Sequence, residues 1–309
     1  MKHTLTAPWI KLKRYLDQAD CDAIHTLYKT CVQQDSIALK LELEYKLANA
    51  RCSTDQDPLG EVNEFMVFDQ RKLIGYLGIC GFGNAAAPLE LAGMVHPDYR
   101  RQGVWTRLHT LVMDECRRRN TKATLGLCDR RALHGHCFLQ SIGAAYVETE
   151  YEMIFSGDAP LPGADALQEL RFQKATNADA AEIVRQNTIY FEREQSQIGE
   201  EPDEHRLLLP EDEEKRGMTI YLAFRKDRII GKIHLVYGDT GAIYGLGVLP
   251  EYRGKGYGRA ILLTGMQMLM DKNSARIMLQ VSAGNETALN LYKSCGFAQT
   301  SAMDYYKLI

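Results

Sequence analysis

The chain carries one sequence pattern twice, at a constant separation. The first copy reads Val-His-Pro-Asp-Tyr-Arg-Arg-Gln-Gly over residues 95–103, and the second reads Val-Leu-Pro-Glu-Tyr-Arg-Gly-Lys-Gly over 248–256. The shared proline, tyrosine, arginine and last glycine are each 153 residues apart (250 − 97 = 153), and so are Gly143 and Gly296. A constant offset leaves no net insertion between these points, so the sequence predicts two copies of one structural unit.

The residues before each pattern also match each other. Residues 65–79 and 219–236 both consist of apolar, β-branched and aromatic runs around a short polar turn, which predicts a β-hairpin in each copy. Amphipathic helices are predicted to begin near Asp20 and Asp179. Each unit is therefore expected to be a mixed α/β sheet with the order strand, helix, strand meander, glycine turn, helix, strand, helix and final strands.

A boundary between the copies is indicated by composition. The 309 residues suffice for two domains. Residues 156–165 hold two prolines and two glycines without periodicity, as is typical of a linker. We therefore expect an N-terminal domain over 1–155, a linker over 156–166 and a C-terminal domain over 167–309.

The charge balance argues against several classes of partner. With 37 Lys and Arg against 40 Asp and Glu, the net charge is −3, so no basic field gathers nucleic acid. No apolar run approaches the ~18 residues of a membrane span, and the first residues do not resemble a signal peptide. We expect a cytoplasmic protein without nucleic-acid or membrane partners.

The cysteines and histidines predict neither disulfides nor a metal site. Eight cysteines are scattered without a CxxC pair, which is typical of reduced thiols. Cys128, His134, His136 and Cys137 fall close together, but adjacent His-Cys and alternating His-x-His do not match the ligand spacings of structural zinc. No metal is predicted.

The glycine cluster of the second copy predicts an anion site. Residues 253–258, Arg-Gly-Lys-Gly-Tyr-Gly, follow a strand-like run and precede a helix-like one, so free backbone N–H groups and the positive end of the helix dipole point to one place. A dinucleotide fingerprint from Gly254 would need glycine or alanine where Arg259 stands. A P-loop would need a glycine at position 249, where the chain has Leu249, and a hydroxyl side chain at position 256, where it has Gly256. Neither pattern fits.

The pattern that remains, Arg253-x-x-Gly256-x-Gly258, resembles the acetyl-CoA signature of the GCN5-related N-acetyltransferase (GNAT) family. A second segment, Asn285 to Tyr292 followed by Gly-Phe at 296–297, resembles that family's next cofactor element. A flexible basic turn and an ordinary capped helix would explain either element alone. Both together, in order, favour the family, and the resemblance extends to most of the chain as two tandem GNAT folds.

The resemblance implies a cosubstrate and a set of site residues. Acetyl-CoA would lie between two splayed strands, and an amine would attack its thioester directly, without a covalent enzyme intermediate. Tyr292 would protonate the CoA thiolate as it leaves. The residues implied to bind the cosubstrate are Leu246, Gly247, Val248, Arg253, Gly254, Lys255, Gly256, Tyr257, Gly258, Arg259 and Asn285.

The acceptor side of the reaction is less defined by sequence. The proton acceptor could be Glu192, Glu194 or Asp239, directly or through water. The acidic segment from 192 to 216 is either a solvated surface or a lid over the acceptor. Four tyrosines either line the acceptor pocket or pack on the sheet, namely Tyr190, Tyr221, Tyr237 and Tyr244.

The two copies are not equivalent at the implied site. With the offset of 153, Gly258 corresponds to Trp105, Asn285 to Ala132 and Tyr292 to Leu139. An indole would occupy space that the turn keeps empty, and leucine donates no proton. The N-terminal copy is therefore expected to be degenerate, either as a structural half or as a second cofactor or regulatory site.

The function expected from the resemblance is acetyl-CoA-dependent N-acetylation of a primary amine on a small molecule. A protein or peptide acceptor is one alternative, and a non-catalytic acyl-CoA sensor is another. Because two fused copies can imitate a dimer, either a monomer or a homodimer is expected.

Overall fold

The chain forms two compact units, each with strands, helices and a hydrophobic core. A computed structural model describes residues 4–52, 60–81, 88–121, 123–156, 170–198 and 209–308. One unit consists of residues 1–148 with 303–309, and the other of residues 149–302. No helix in these described ranges is long and apolar enough to span a membrane.

The N-terminal half of the chain provides the following elements: β1 Pro8–Lys13, α1 Gln18–Asp35, α2 Leu43–Cys52, β2 Glu64–Asp69, β3 Lys72–Cys80, β4 Leu89–Val95, α3 Val104–Arg118, β5 Thr124–Asp129, α4 Leu133–Ser141 and β6 Ala145–Phe155. Helix α1 begins with a capping box, in which Asp17 accepts from the N–H of Asp20 and the Asp20 carboxylate accepts from the N–H of Asp17. Two otherwise unpaired backbone donors are thereby satisfied.

The C-terminal half repeats this order: β7 Leu170–Lys174, α5 Ala180–Ile198, α6 Pro210–Lys215, β8 Met218–Arg225, β9 Arg228–Val236, β10 Thr240–Val248, α7 Tyr257–Asp271, β11 Arg276–Ser282, α8 Glu286–Ser294 and β12 Ala298–Lys307. A short 3-10 turn precedes α7 at Pro250–Tyr252, and another precedes α3 at Pro97–Tyr99. The repeated mixed α/β architecture predicted from the offset is confirmed.

Each unit completes its sheet with a strand from the other half of the sequence. In the first unit, β5 pairs antiparallel with β12 over 303–307, beside the order β1-β2-β3-β4-β5. In the second unit, β11 pairs antiparallel with β6 over 150–155, beside β7-β8-β9-β10-β11. The linker predicted at 156–166 falls almost wholly outside the described residues, so that boundary stays a prediction.

The core of the C-terminal unit lies between α7 and one face of its sheet. Ile261, Met266 and Leu269 of α7 are fully buried against Ile233 and Leu235 of β9. Burial of such a side chain contributes roughly 1.5–3 kcal/mol relative to exposure. These contacts hold α7 along its length against β9 and β10.

Close approach of α7 to the sheet depends on a residue without a side chain. A Cβ added at Gly265 would lie 2.5 Å from Cδ1 of Ile233. Either the Ile233 side chain or the helix would then have to shift.

The opposite face of the same sheet is covered by α5. Ile183 of α5 packs there with Ile220 and Leu222 of β8. Because side chains alternate along a strand, Lys232 and His234 of β9 also point to this face, while Ile233 between them points to α7. Both Lys232 and His234 are buried.

Candidate functional site

Strands β10 and β11 separate at one end of the C-terminal sheet. Their parallel pairing extends from Thr240–Ile243 against Arg276–Leu279 and then stops, although β10 continues to Val248. In the same stretch the register of β10 with β9 shifts between Tyr244 and Gly247. The backbone of Leu246, Gly247 and Val248 therefore lies along an open split, where its polar groups on the β11 side lack a strand partner.

A bulge at this split depends on glycines. Gly245 has a φ of 53°, a left-handed conformation that glycine adopts without strain. A Cβ on Gly231 would lie 2.3 Å from the Gly247 carbonyl oxygen, and one on Gly247 would lie 2.1 Å from the Tyr190 ring. The strands and α5 meet here closely, with no room for side chains.

The predicted anion turn forms between β10 and α7. Gly254 and Gly256 have φ values of 71° and 82°, and Gly256 is the N-cap of α7. No side chain caps this helix, so its first N–H groups remain available. A Cβ at either glycine would meet no atom within 4 Å, so the space in front of the turn is open. These features suit a pyrophosphate.

The two basic side chains of the turn hold the backbone in place. Arg253 Nε donates to the carbonyl oxygen of Val248 at 2.9 Å and ties the turn to the end of β10. Arg100 makes the same bond to Val95 at 3.1 Å in the N-terminal unit. Lys255 donates to the carbonyl oxygen of Glu251 at 2.8 Å. In both copies the repeated arginine therefore stabilises the turn by bonding it to the end of the preceding strand.

The remaining residues of the turn pack its helix against neighbouring elements. Gly258 would place a Cβ in ordinary contact with Leu291 of α8, at 3.5 Å. Arg259 donates to Ser294 Oγ at 2.6 Å, at the C-terminal end of α8, where a cation is favourable. The Tyr257 ring lies edge-on to Tyr252, with centroids 6.4 Å apart. The side chains of this group thus pack α7 against its neighbours, and the backbone N–H groups of the turn remain available to a ligand.

Asn285 and Tyr292 are positioned by helix α8. Asn285 is its N-cap and accepts a hydrogen bond from the N–H of Ala288 at 3.1 Å. Tyr292 lies two turns later, is 7% exposed, and contacts Phe297 edge-on. Burial raises the pKa of Tyr292 to about 12. Its hydroxyl makes no hydrogen bond within the described residues and is therefore a protonated, unused donor at neutral pH.

Lys232 and His234 are site residues that the sequence patterns did not reveal. Lys232 is fully buried, donates to the carbonyl oxygen of Gly245 at 3.0 Å, and lies 3.1 Å from Nε2 of His234. The ring of Tyr190 covers its Nζ at 5.5 Å. Burial lowers the pKa of Lys232 to about 7. Burial, with a further contribution from the Lys232 charge, lowers the pKa of His234 well below its usual value.

Of the three proton acceptors proposed from sequence, only Asp239 has a described side chain, and it lies away from this split. Asp239 precedes β10 at the end opposite Val248, roughly 25–30 Å away along an extended strand. Glu192 and Glu194 lie on α5 in a stretch whose side chains are not described. Among the tyrosines, Tyr190 donates to Gln186 at 2.8 Å, while Tyr221 and Tyr237 bond to each other at 3.0 Å.

The corresponding turn of the N-terminal unit keeps the capping glycine but differs in the residues around it. Gly103 caps α3 with a φ of 80°, as Gly256 caps α7. However, Trp105 packs edge-on against Phe138 at 5.7 Å, and its indole N–H is buried without a partner in the described part of the chain. At the start of α4, Ala132 provides no cap, and Leu139 is buried where α8 has its tyrosine. This copy has a tryptophan, an alanine and a leucine where the other has Gly258, Asn285 and Tyr292, so it lacks the N-cap bond and the hydroxyl.

Comparisons with known proteins agree on one family. The model of the acetyltransferase (GNAT) family matches residues 17–135 and 185–297. Mycothiol acetyltransferase of Rhodococcus erythropolis is 27% identical over 260 residues, 77% of this chain and 82% of the relative. Mycothiol acetyltransferase of Mycolicibacterium vanbaalenii is 30% identical over 248 residues, 73% of this chain and 76% of the relative.

Two solved structures share the fold of nearly the whole chain. A GCN5-related N-acetyltransferase from Sphaerobacter thermophilus has a TM-score of 0.72 at 18% identity and covers 97% of this chain and 95% of its own. A tandem GNAT protein from the clavulanic acid biosynthesis pathway has a TM-score of 0.71 at 12% identity, with coverage of 97% and 98%. At these identities the likeness concerns the fold.

Proposed function

The chain belongs to the acetyltransferase (GNAT) family, and we propose that it transfers an acetyl group from acetyl-CoA to the primary amine of a small molecule at the C-terminal split. The observation that carries this proposal is the glycine-lined, uncapped start of α7 directly beside the separated ends of β10 and β11. Enzymes of this family take their acyl group from acyl-CoA, and the choice of acetyl-CoA is part of the proposal.

The residues of the split and turn suit this cosubstrate. The open space at Gly254 and Gly256 would admit the pyrophosphate, which would accept hydrogen bonds from the N–H groups of residues 254–259. The backbone of residues 246–248 would pair with the pantetheine arm. Acetyl-CoA supplies its acetyl group as a thioester, an acyl carrier that an amine can attack directly.

Two groups of the protein would assist the reaction. A backbone N–H near Val248 would stabilise the negative charge that develops on the thioester oxygen. The Tyr292 hydroxyl, with its pKa raised to about 12, would donate a hydrogen bond to the departing sulfur. It would then give its proton to the sulfur and take another from the attacking nitrogen. No covalent enzyme intermediate is needed, because the split holds both reactants together.

A small acceptor is favoured over a protein by the relatives. Mycothiol acetyltransferases match this chain over about three quarters of its length, at 73% and 77% in the two cases above. A protein or peptide acceptor and a non-catalytic acyl-CoA sensor are the alternatives that an experiment must separate.

The test is release of CoA thiol from acetyl-CoA across a panel of amines: glucosamine, spermidine, ethanolamine, amino-acid amides and a lysine-containing peptide. Release with a small amine, together with its acetylated product in the mass spectrum, is the expected result. Acetylation of the peptide alone would favour the second alternative. Stoichiometric binding of acetyl-CoA without release by any amine would favour a sensor.

A further inference from the structure

A buried lysine, with no carboxylate partner among the described residues, lies beside the proposed acetyl-transfer site. The groups that face Lys232 are His234 on its own strand, the Gly245 carbonyl of β10, the Tyr190 ring of α5 and Leu222, its cross-strand neighbour on β8. Within the described residues, no acidic side chain contacts its Nζ. Tyr190 is itself in the field of four charged groups, which belong to Glu182, Arg185, Glu251 and Arg253.

The N-terminal unit contains another buried lysine, Lys46, whose charge is paired with a carboxylate. Lys46 bonds both carboxylate oxygens of Glu64, at 2.9 and 3.0 Å, and the hydroxyl of Tyr76 at 3.1 Å. Tyr76 occupies the position that Lys232 has in the second hairpin, since each follows the glycine paired with Val95 or Val248. The charge of Lys46 is compensated, and that of Lys232 is not.

An uncompensated ammonium in an apolar interior is unfavourable, so such a group gives up its proton easily. Burial accordingly lowers the pKa of Lys232 to about 7, and Lys232 then exists largely as a neutral amine slightly above that pH. Strong perturbation beside a cleft is typical of residues with a functional role.

The position of Lys232 connects it with the transfer reaction. Its Nζ donates to the carbonyl oxygen of Gly245, the bulge residue directly before the backbone of residues 246–248. His234 lies against the same glycine, since a Cβ there would be 3.0 Å from two atoms of its ring. The two basic groups therefore lie against the bulge residue that directly precedes the backbone proposed to bind the thioester.

We propose that Lys232 and His234 form the proton-accepting pair of this enzyme, which removes the proton that the acceptor's ammonium must lose before it attacks. The inference rests on the proposed function and adds the base that sequence patterns did not identify. It also implies that two nitrogen bases take the proton, since no carboxylate of the described residues contacts them.

The protons and electrons balance in this scheme. The acceptor R–NH₃⁺ gives one proton to the pair and becomes R–NH₂, whose lone pair forms the C–N bond at the thioester carbon. The C–S bond then breaks with its electron pair on sulfur. The second proton leaves nitrogen for the Tyr292 oxygen as the Tyr292 hydroxyl proton moves to sulfur, and the pair returns its proton to solvent.

The experiment compares Lys232→Met, His234→Gln and the exposed control Lys272→Met with two probe amines. Ethanolamine is mostly ammonium near pH 7, whereas methoxyamine is mostly neutral and needs no base before attack. We expect Lys232→Met to lower kcat/KM about 100-fold or more for ethanolamine. It should also abolish the rise of the pH profile near 7. With methoxyamine the loss should be less than about fivefold, and Lys272→Met should resemble the native enzyme.

Three activity results would overturn the inference. An equal loss with both amines would mean that Lys232 only supports the Gly245 bulge. No loss with either would remove it from the reaction. If the native protein releases thiol with no amine of the panel, the proposed function fails and the inference fails with it. In the first two results the native protein is active, so only the inference fails.

A second measurement does not depend on activity. In protein labelled with ¹³C at the lysine ε-carbons, one resonance should titrate near pH 7 and should be absent in Lys232→Met. If every lysine resonance titrates near its ordinary value, about 10.4, Lys232 is not neutral at working pH and the inference is wrong.

Discussion

Replacement of Lys232 by methionine should change the stability of the C-terminal unit in a pH-dependent way. The pKa of Lys232 falls from 10.5 to about 7 on burial. Between these values the unfolded chain binds more protons than the folded one, so stability rises with pH in this window and is constant outside it. At about 1.4 kcal/mol per pH unit, the native lysine costs roughly 5 kcal/mol below pH 7 and almost nothing above pH 10.5.

Methionine has a similar length and no charge, so it removes this cost at every pH. It also leaves the Gly245 carbonyl and His234 without the hydrogen bonds of Lys232, a loss of about 1–3 kcal/mol that does not depend on the lysine's titration. The variant should therefore be more stable than the native protein at pH 6.5. Its advantage should fall by about 2 kcal/mol at pH 8.5, as the native protein gains stability.

Hydrogen exchange of the peptide that covers β9, residues 228–236, measures this difference where the lysine resides. At one pH, the ratio of the exchange rates in the native and variant proteins does not depend on the intrinsic exchange rate of an unprotected amide, which is the same in both. This ratio, native over variant, should fall roughly 20- to 30-fold from pH 6.5 to pH 8.5. The exposed variant Lys272→Met should give a ratio that does not change with pH. A pH-independent ratio for Lys232→Met would refute the reasoning.

Two further predictions concern α8. Tyr292→Phe removes only a hydroxyl that makes no described hydrogen bond, so the melting temperature should stay unchanged. In steady-state kinetics kcat should fall about 10- to 100-fold with little change in KM. Undiminished turnover would exclude Tyr292 from the reaction. Asn285→Ala removes the N-cap bond to Ala288 and should destabilise the unit by about 1 kcal/mol. Asn285→Asp keeps that acceptor and should retain the stability in the same unfolding assay, so an equal loss in both variants would contradict the capping role.

The fold was predictable because its signals are local and repeated. The offset between Gly103 and Gly256 locates the same glycine-capped helix start in both halves, and the structure gives both glycines nearly the same φ, 80° and 82°. The exchange of β6 and β12 was not predictable. Alternation within a strand defines its two faces but not which strand it pairs with.

The site was predictable where backbone geometry requires glycine and much less so where it depends on burial. The turn at 253–258 could be located because positive φ and open space select glycine. Lys232 was missed because lysine in sequence indicates an exposed surface, and only the sheet shows that its neighbours bury it. The one available signal was the placement of Lys232 and His234 at alternating positions of an otherwise apolar strand.

The proposed function requires the chain to bind acetyl-CoA at the turn of the C-terminal copy. Gly256 and Gly103 form a matched pair, since both cap a helix with positive φ and neither has an atom within 4 Å of an added Cβ. Valine should strain the two turns equally.

Calorimetric titration of acetyl-CoA into the native chain, Gly256→Val and Gly103→Val tests this claim most directly. One site per native chain is expected, weakened about 100-fold or more in Gly256→Val and unchanged in Gly103→Val. Unchanged binding in Gly256→Val, or loss in Gly103→Val instead, would contradict the account.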